Sequence, residues 1–481
     1  MYRSTNRQQL EFPDFYLPFS GHLDPENRWV ALAQLVPWEL AEEIYHADLC
    51  QDSGQPIVPA RVALGALLIK ERQGLTDRET VETIEENPYM QFFLGLEEFT
   101  QEPPFDASLM VDFRKRFGEE GMQRMAEAIA LASLSGNQQE TEPEETNDSD
   151  PPANDGQLIA DATCAPADIR YPTDVSLLNE AREKTEAIID ELHAPLVGKA
   201  ARPRTYRVKS RRLFVAFTKH KKPGRKKIRR AKREQLGFLR RNFKAIDRLL
   251  ENGETLPLCG FSRRQYKNLL VTRELFRQQL EMHENNSQRI DDRIVSISQP
   301  HVRPIVRGKA GRPTEFGAKL SISVVGGFSF VDRRSWDSYN EGGDFIEQIE
   351  TFRRRFGCYP ESVHVDKIYR TRENRAYCKK HGIRMTGPPL GRKPQNVSAA
   401  DKKQAAADEA IRNQVEGKFG QAKRRFSLGR IMTKLASTSA AQISLSFLVM
   451  NLEKALRQLF LSILLLCHAW SGTLFAQGRR S

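Results

Sequence analysis

Apolar residues recur at helical spacing in the first part of the chain. Between residues 58 and 134 they repeat every three or four positions, in groups that glycine and proline separate, which is the pattern of amphipathic helices. Thr76, with Glu79 three residues later, forms a capping-box pair and predicts a helix that begins after Thr76. We therefore expect an N-terminal helical domain over residues 1–134.

A polar segment follows this domain. Residues 135–156 hold almost no apolar side chain, several acids and two adjacent prolines. Such a segment buries too little apolar surface to offset the entropy that is lost on ordering. The composition predicts an acidic, disordered linker at a domain boundary.

The remaining chain alternates between strand-like and helix-like patterns. A compact apolar run contains Asp161, a polar and basic insertion follows over about residues 175–314, and Gly326-Gly327 joins two strand-like runs as a tight hairpin would. This order predicts a mixed α/β domain over residues 157–455, with a sheet flanked by helices and a largely helical insertion. Helices are predicted at residues 344–356, 371–380 and 405–426, and strands at residues 362–366 and 383–386.

The end of the chain is apolar. Residues 456–481 are predicted to form a C-terminal helical tail. Its apolar stretch is shorter than the roughly 20 residues that a membrane-spanning helix requires, so we expect no membrane partner.

Positive charge is concentrated in the insertion. The chain of 481 residues has 74 Lys and Arg against 62 Asp and Glu, a net charge of +12, and residues 199–233 alone hold 17 Lys or Arg and no acid. Because 17 exceeds the net charge of the whole chain, the surplus lies in this segment. Clustered cations of this density favour a polyanionic partner such as DNA. The six cysteines form no CxxC pair, which is typical of a protein from a reducing compartment.

Two aspartates occur within strand-like runs. Asp161 interrupts one apolar strand and Asp366 ends another. Ligands bind at the carboxyl ends of strands in open α/β sheets, and a buried carboxylate is costly unless a partner such as a cation accompanies it. Each aspartate alone also fits an ordinary strand or turn position.

Glu416 lies on a predicted helix, at the edge of its apolar face. Position 416 is about 100° around the helix from the apolar Val415, and Arg412 and Lys423 lie along the same stripe. Spacing alone fits an ion-paired helix surface equally well. Two strand-end aspartates and a glutamate would nevertheless supply the oxygen ligands with which Mg²⁺ assists attack on a phosphodiester.

Three segments resemble the acidic motifs of DDE transposases encoded by bacterial insertion sequences. They are LIADAT around Asp161, HVDKIYRTRENRAYCKKHGI around Asp366 and RNQVEGKFGQAKRRF around Glu416. Arg412, Glu416 and Lys423 reproduce the Arg-x3-Glu-x6-Lys part of a signature of that superfamily. The signature's tyrosine, three residues before the arginine, is here Glu409. The hairpin and the N-terminal helices are also similar, so the resemblance covers about residues 58–455.

The resemblance implies a ribonuclease H-like catalytic domain in which Asp161, Asp366 and Glu416 bind two Mg²⁺ or Mn²⁺ ions. It also implies cleavage of the element's ends, followed by strand transfer in which the freed 3′-hydroxyl attacks target DNA. Double-stranded DNA would be the partner, and a homodimer assembled on DNA would bring two ends together. Such an enzyme acts in the prokaryotic cytoplasm, in association with the nucleoid.

Basic residues in three regions are expected to contact DNA. On the helix of Glu416 these are Arg412, Lys423 and Arg424. The N-terminal helices, which alternatively form a dimerisation module, would recognise terminal repeats through residues such as Arg114 and Arg116. The insertion would contact mainly phosphates. Its expected contacts are Arg207, Arg211, Arg212, Lys221, Lys222, Arg225, Lys226, Lys227, Arg229 and Arg230.

Two other functions remain open on the residues alone. A structure-selective nuclease would use the same acids to cut DNA but would never join strands. A non-catalytic DNA-binding descendant of such an enzyme is disfavoured, because all three acids are present.

Overall fold

A computed structural model describes residue 17 and residues 21–47, 57–135, 153–251, 261–306, 314–387 and 398–477, with side chains to residue 464. These residues form two compact units. We call the described parts of residues 1–166, 319–335 and 339–481 the core unit, and those of residues 167–318 and 336–338 the insertion unit. Most of the predicted linker, residues 136–152, lies outside the described residues.

The N-terminal part of the core unit is helical. Its helices are α1 (Arg28–Leu35), α2 (Trp38–His46), α3 (Ala60–Gln73), α4 (Asp77–Glu86), α5 (Pro88–Phe93) and α6 (Leu109–Ser135). Gly74 ends α3 in a left-handed conformation with φ of 70°. The Thr76 hydroxyl accepts the N–H of Glu79, and the Glu79 carboxylate accepts the N–H of Thr76 at 2.7 Å. The predicted capping box is therefore confirmed.

The core unit contains a mixed sheet. Its strands are β1 (Gln157–Pro166), β3 (Thr314–Val325) from residue 319 onward, β4 (Phe328–Ser335), β5 (Ser362–Val365) and β6 (Arg384–Thr386). The first residues of β3 and all of β2 (Arg303–Val306) belong to the insertion unit. β1 lies between β3 and β5, and β5 pairs in parallel with both β1 and β6. β3 and β4 form an antiparallel hairpin through Gly326 and Gly327, whose φ values of 55° and 83° suit a primed hairpin turn. The predicted hairpin and the mixed α/β class are confirmed.

Helices connect the later strands near the predicted positions. They are α11 (Phe345–Phe356), α12 (Arg372–Lys380) and α13 (Ala399–Arg425). α13 begins before the predicted residue 405, because Ser398 caps it by accepting the N–H of Asp401 at 3.0 Å.

The last helix, α14 (Ala436–Gln477), organises the core unit. Residues 440–456 of α14 are buried except for the half-buried Lys454, since α6, α3, α1 and β4 pack around them. A helix that is apolar on all sides has to be covered on all sides. The structure consequently divides the chain differently from the predicted boundaries: the N-terminal helices, the sheet and the C-terminal helix belong to one unit. α14 also continues through position 456 without a break.

Asn451 joins three elements of this core. Its side-chain oxygen accepts the N–H of Ser329 on β4 at 2.9 Å. Its amide nitrogen donates to the carbonyls of Ser329 at 2.9 Å and of Ala126 on α6 at 3.3 Å. A polar residue inside an apolar helix is tolerated here because it is fully hydrogen-bonded.

The insertion unit is largely helical, as predicted. Its helices are α7 (Asp174–His193), α8 (Arg207–Thr218), α9 (Arg225–Glu251) and α10 (Arg263–Glu284). Apolar residues of α7, α9 and α10 form one buried cluster. The unit is wider than residues 175–314, because the N–H of Ala167 bonds to the carbonyl of Phe316 at 2.8 Å. Within the described ranges, none of the helices combines the length and continuous apolarity that a membrane crossing requires.

Replacing Asn451 with alanine is expected to lower the free energy of unfolding by about 2–4 kcal/mol, because buried backbone groups of Ser329 and Ala126 lose their partner. Asn413, which is exposed on α13, provides the matched control: Asn413→Ala should change stability by less than about 0.5 kcal/mol. Denaturant unfolding measures both. Equal stabilities of the two variants would contradict the joining role of Asn451.

Candidate active site

Asp161 is a half-buried carboxylate in the middle of β1. Its neighbours Ala160 and Ala162 are buried, and one Asp161 oxygen accepts the N–H of Ala162 at 2.7 Å. Burial raises the pKa of Asp161 to about 6, and the negative charges of Glu341 and Asp366 add to this increase, while the hydrogen bond from Ala162 and the charge of Arg412 oppose it. The position is acidic and partly desolvated, so it favours a compensating cation.

Asp366 follows the neighbouring strand in register with Asp161. β1 and β5 pair in parallel, and Ala160 lies opposite Val365 as the last pair. The residue that follows each member of this pair is an aspartate, Asp161 or Asp366. Adjacent strands lie about 4.8 Å apart, and side chains at paired positions point to the same face of a sheet. Asp366 is exposed and accepts the N–H of Lys367 at 2.6 Å. The structure thus brings together two of the three acids that were selected from the sequence.

The charge of Arg412 acts on Glu416 and on both aspartates. On α13, which packs against both β1 and β5, the Arg412 guanidinium lies 3.8 Å from the Glu416 carboxylate and 2.6 Å from that of Glu409. The hydrogen bond to Glu409 raises the pKa of Arg412, and the charges of Asp366 and Glu416 raise it further. Glu409, which replaces the tyrosine of the signature, therefore orients Arg412. The Glu416 side chain is 63% exposed and accessible.

The three acids are not clustered around one point. Among the described residues, no three His, Cys, Asp or Glu side chains are grouped closely enough to hold a metal ion together. The arrangement consists of two aspartates on adjacent strands and an exposed glutamate on α13 that is ion-paired with Arg412.

Sequence reasoning missed two further groups that lie beside Asp161. Glu341, in the turn Glu341–Gly343 before α11, pairs with Lys319 and is one of the charges that raise the pKa of Asp161. Tyr369 is fully buried, and within the described part of the chain its hydroxyl has no hydrogen-bond partner. Burial raises the pKa of Tyr369 well above its usual range, and the charges of Asp161 and Glu341 contribute. The available sequence signals were an acid in a glycine-rich turn and a tyrosine three residues after Asp366.

The residues of the core unit that were predicted to contact DNA differ in their exposure and in their side-chain partners. Arg424 is exposed and Lys423 is half-buried near the end of α13. Arg114 is 5% exposed and donates two hydrogen bonds to Asp77, at 3.0 and 2.6 Å. Its prediction as a DNA contact is corrected: the buried guanidinium forms an ion pair with Asp77 that joins α6 to α4. Arg116 is exposed and donates to the Tyr45 hydroxyl at 2.9 Å.

The insertion unit presents most of its predicted contacts to solvent. Arg207 is the exception, because it is half-buried and paired with Asp190. The exposed residues are Arg211, Arg212, Lys221, Lys222, Arg225, Lys226, Lys227, Arg229 and Arg230.

Comparisons with known proteins identify the family. Residues 363–453 match the transposase DDE domain, a match that includes Asp366, Arg412 and Glu416, and residues 18–116 match a second transposase domain. An uncharacterized protein of Rhizobium meliloti, ORF8 in the nfe locus, is 33% identical over 159 residues, which cover 33% of this chain and 71% of that protein. No solved structure matches the chain. The family that the three motifs indicated is confirmed, and the chain belongs to the DDE transposases of insertion sequences.

Proposed function

We propose that this transposase cleaves the ends of its element and joins them to target DNA by 3′-hydroxyl attack, with Asp161, Asp366 and Glu416 as the catalytic acids. The observation that carries the proposal is the register of β1 and β5, which sets the two aspartates side by side at adjacent parallel strands. The mixed sheet, with helix α13 packed against both strands, supports the assignment of a ribonuclease H-like catalytic domain.

The donor set fits hard divalent cations. All three side chains offer carboxylate oxygens, the ligands that Mg²⁺ and Mn²⁺ prefer. Asp161 lies in a partly desolvated position near two other acids, and a cation would offset both costs. Two ions held by Asp161, Asp366 and Glu416 would activate the attacking oxygen and stabilise the leaving oxygen of an in-line displacement.

The protein residues divide the remaining tasks. Asp161 and Asp366 form the fixed part of the site because the sheet holds both backbones. Glu416 adds an accessible carboxylate from α13, and Arg412, itself held by Glu409, positions it. Arg412 also offers a planar set of donors that suits a phosphate next to the scissile bond. The attacking oxygens come from water and from DNA, so no covalent intermediate with the protein is required.

The insertion unit would supply sequence-independent DNA binding. Its exposed cations on α8, α9 and the turn between them have a density that is self-repelling unless an anion neutralises it. Phosphate contacts of this kind position DNA without reading its sequence. In the complete reaction the partner is double-stranded DNA, two chains act as a homodimer assembled on two element ends, and the protein works in the cytoplasm on nucleoid DNA.

Asp161→Asn, Asp366→Asn and Glu416→Gln are each expected to reduce metal-dependent end cleavage more than about a hundredfold, because each removes a charged ligand from the site. DNA affinity should remain close to that of the parent protein. Asp401→Asn, at an exposed position in the first turn of α13, is the matched control and should retain activity. Persistent magnesium-dependent cutting by any of the three variants would contradict the assignment.

A strand-transfer assay on the parent protein separates a transposase from a nuclease that only cuts, because only a transposase joins pre-cut ends to target DNA.

Ionisation of Asp161 should lower the stability of the metal-free protein as the pH rises from about 4 to about 6. The pKa of Asp161 is raised from 3.8 to about 6 in the folded state, so the folded protein keeps this proton longer than the unfolded chain does. Asp161→Asn removes the loss and should raise the Tm of the metal-free protein near neutral pH by a few degrees. The variant should also lack the stabilisation that Mg²⁺ gives the parent protein. Asp155→Asn, at an exposed position before β1, is the control, and an Asp161→Asn profile identical to the control's would contradict the prediction.

Lys226→Ala/Lys227→Ala should weaken binding to duplex DNA of any sequence, because both exposed side chains on α9 are expected to contact phosphates. The slope of log affinity against log salt should fall by about 0.9 for each lost contact. Arg263→Ala/Arg264→Ala, two exposed cations at the start of α10, forms a charge-matched control. Filter binding at several salt concentrations measures both slopes; equal slopes would argue against DNA binding by α9.

A further inference from the structure

A basic groove of about 860 Å³ lies in the core unit. Residues 70–77 at the α3–α4 corner and residues 111–114 of α6 form one wall. The other wall consists of residues 423–442, which comprise the end of α13, the connection to α14 and the first turns of α14. The groove therefore combines a segment near the candidate active site with the N-terminal helices.

The charge of the groove is strongly positive. Seven of its described lining residues are Lys or Arg, and one, Asp77, is acidic. Asp77 is already bound by Arg114 and lies 3.9 Å from Lys70. Arg114 thus neutralises the only acid among the described lining residues. This ion pair accounts for the burial of the Arg114 side chain. Concave surfaces lined by one sign of charge concentrate ligands of the opposite sign.

Apolar side chains lie among these cations. Met432 is 60% exposed and Leu435 is 48% exposed, and both line the groove beside Arg430 and Lys434. An inorganic anion would need only the cations. A nucleic acid presents phosphates together with apolar sugar and base surfaces, so it matches both kinds of lining residue.

The connection that lines the groove contacts β1 and α13, the elements that carry Asp161 and Glu416. The N–H of Ile431 donates to the carbonyl of Pro166 at 2.8 Å, and Pro166 ends the strand that carries Asp161. Gly429 lies so close to the Lys423 carbonyl that an added Cβ would come within 2.5 Å of that oxygen, so the connection packs tightly on α13. Lys423 is two turns, or about 10 Å, beyond Glu416 on the same helix. At about 3.4 Å of helix axis per nucleotide, this corresponds to roughly three nucleotides.

We infer that the basic groove binds duplex DNA immediately beside the scissile phosphate, with Arg430 and Lys434 contacting its backbone and Met432 packing against its sugars or bases. This inference rests on the proposed function and extends it. The groove holds the DNA flank at a fixed distance from Asp161, because the connection that lines the groove is hydrogen-bonded to β1.

Photo-crosslinking of the full chain tests this inference. A benzophenone amino acid replaces Met432, and the probe is a labelled duplex of arbitrary sequence, used without metal in the Asp161→Asn background. The groove should capture the duplex, and Arg430→Glu/Lys434→Glu should reduce the yield about tenfold, since two phosphate contacts become repulsive. Lys379→Glu/Lys380→Glu, two exposed lysines on α12, is the matched charge reversal and should leave the yield unchanged. Benzophenone at the exposed Phe460 on α14 should capture little.

Four outcomes of these measurements would overturn the inference that the groove binds duplex DNA. No capture at position 432, capture that is insensitive to Arg430→Glu/Lys434→Glu, or preferential capture of a single strand would overturn the inference. Full suppression by millimolar inorganic phosphate would also overturn it, since it would show a simple anion site. Thermal unfolding of Arg430→Glu/Lys434→Glu and of the Lys379→Glu/Lys380→Glu control is measured alongside, so misfolding is detected separately. Crosslinking needs no catalysis, so the result is independent of the triad assignment.

Discussion

The burial of residues 440–456 of α14 is the constraint on which the rest of the core unit depends. Its apolar surface faces all directions, so the N-terminal helices and β4 both have to pack against it. The two acids buried against this core are both hydrogen-bonded or ion-paired. Glu71 accepts hydrogen bonds from Gln442 and Ser446 of α14, and Glu453 pairs with Arg72 of α3 and Arg425 of α13. These buried pairs fix the end of α13 beside α3. They therefore create the basic groove and limit where Glu416, earlier on α13, can lie.

Asp161 differs from these paired carboxylates in its surroundings. Most buried carboxylates of the core unit have a cationic or hydrogen-bonding partner, as Asp332 does with Arg355, Ser323 and Gln348. Asp161 accepts one backbone hydrogen bond, and the charges of two acids, Glu341 and Asp366, outnumber that of the one nearby cation, Arg412. Burial raises the pKa of Asp332 as well, but side-chain partners surround that carboxylate, whereas no side chain hydrogen-bonds to Asp161 in the described part of the chain and an electrostatic cost stays at this position. In a transposase this cost has a use, because it favours cations at the point where phosphodiester chemistry is proposed.

Sequence reasoning succeeded where the determining interactions are local. The Thr76–Glu79 cap, the Gly326-Gly327 turn and the limits of α11 and α12 depend on residues a few positions apart, and each was predicted. The motifs around Asp366 and Glu416 were recognisable because they are short. Contacts between distant segments were not accessible. Arg114 reads as an exposed cation on α6, and only the fold shows that Asp77, 37 residues earlier, consumes it. Glu341 approaches Asp161 from a separate turn, and the role of α14 depends on helices more than 300 residues away.

The central claim is that Asp161, Asp366 and Glu416 converge on shared metal ions during catalysis. Iron-mediated cleavage of the protein itself tests this claim most directly: Fe²⁺ replaces Mg²⁺, ascorbate and peroxide generate hydroxyl radicals at the bound ion, and the backbone breaks are mapped. With duplex DNA bound, breaks are predicted close to residues 161, 366 and 416, and excess Mg²⁺ should suppress all three together. Breaks near residues 161, 366 and 341 with none near 416 would assign the third ligand to Glu341 and contradict the account.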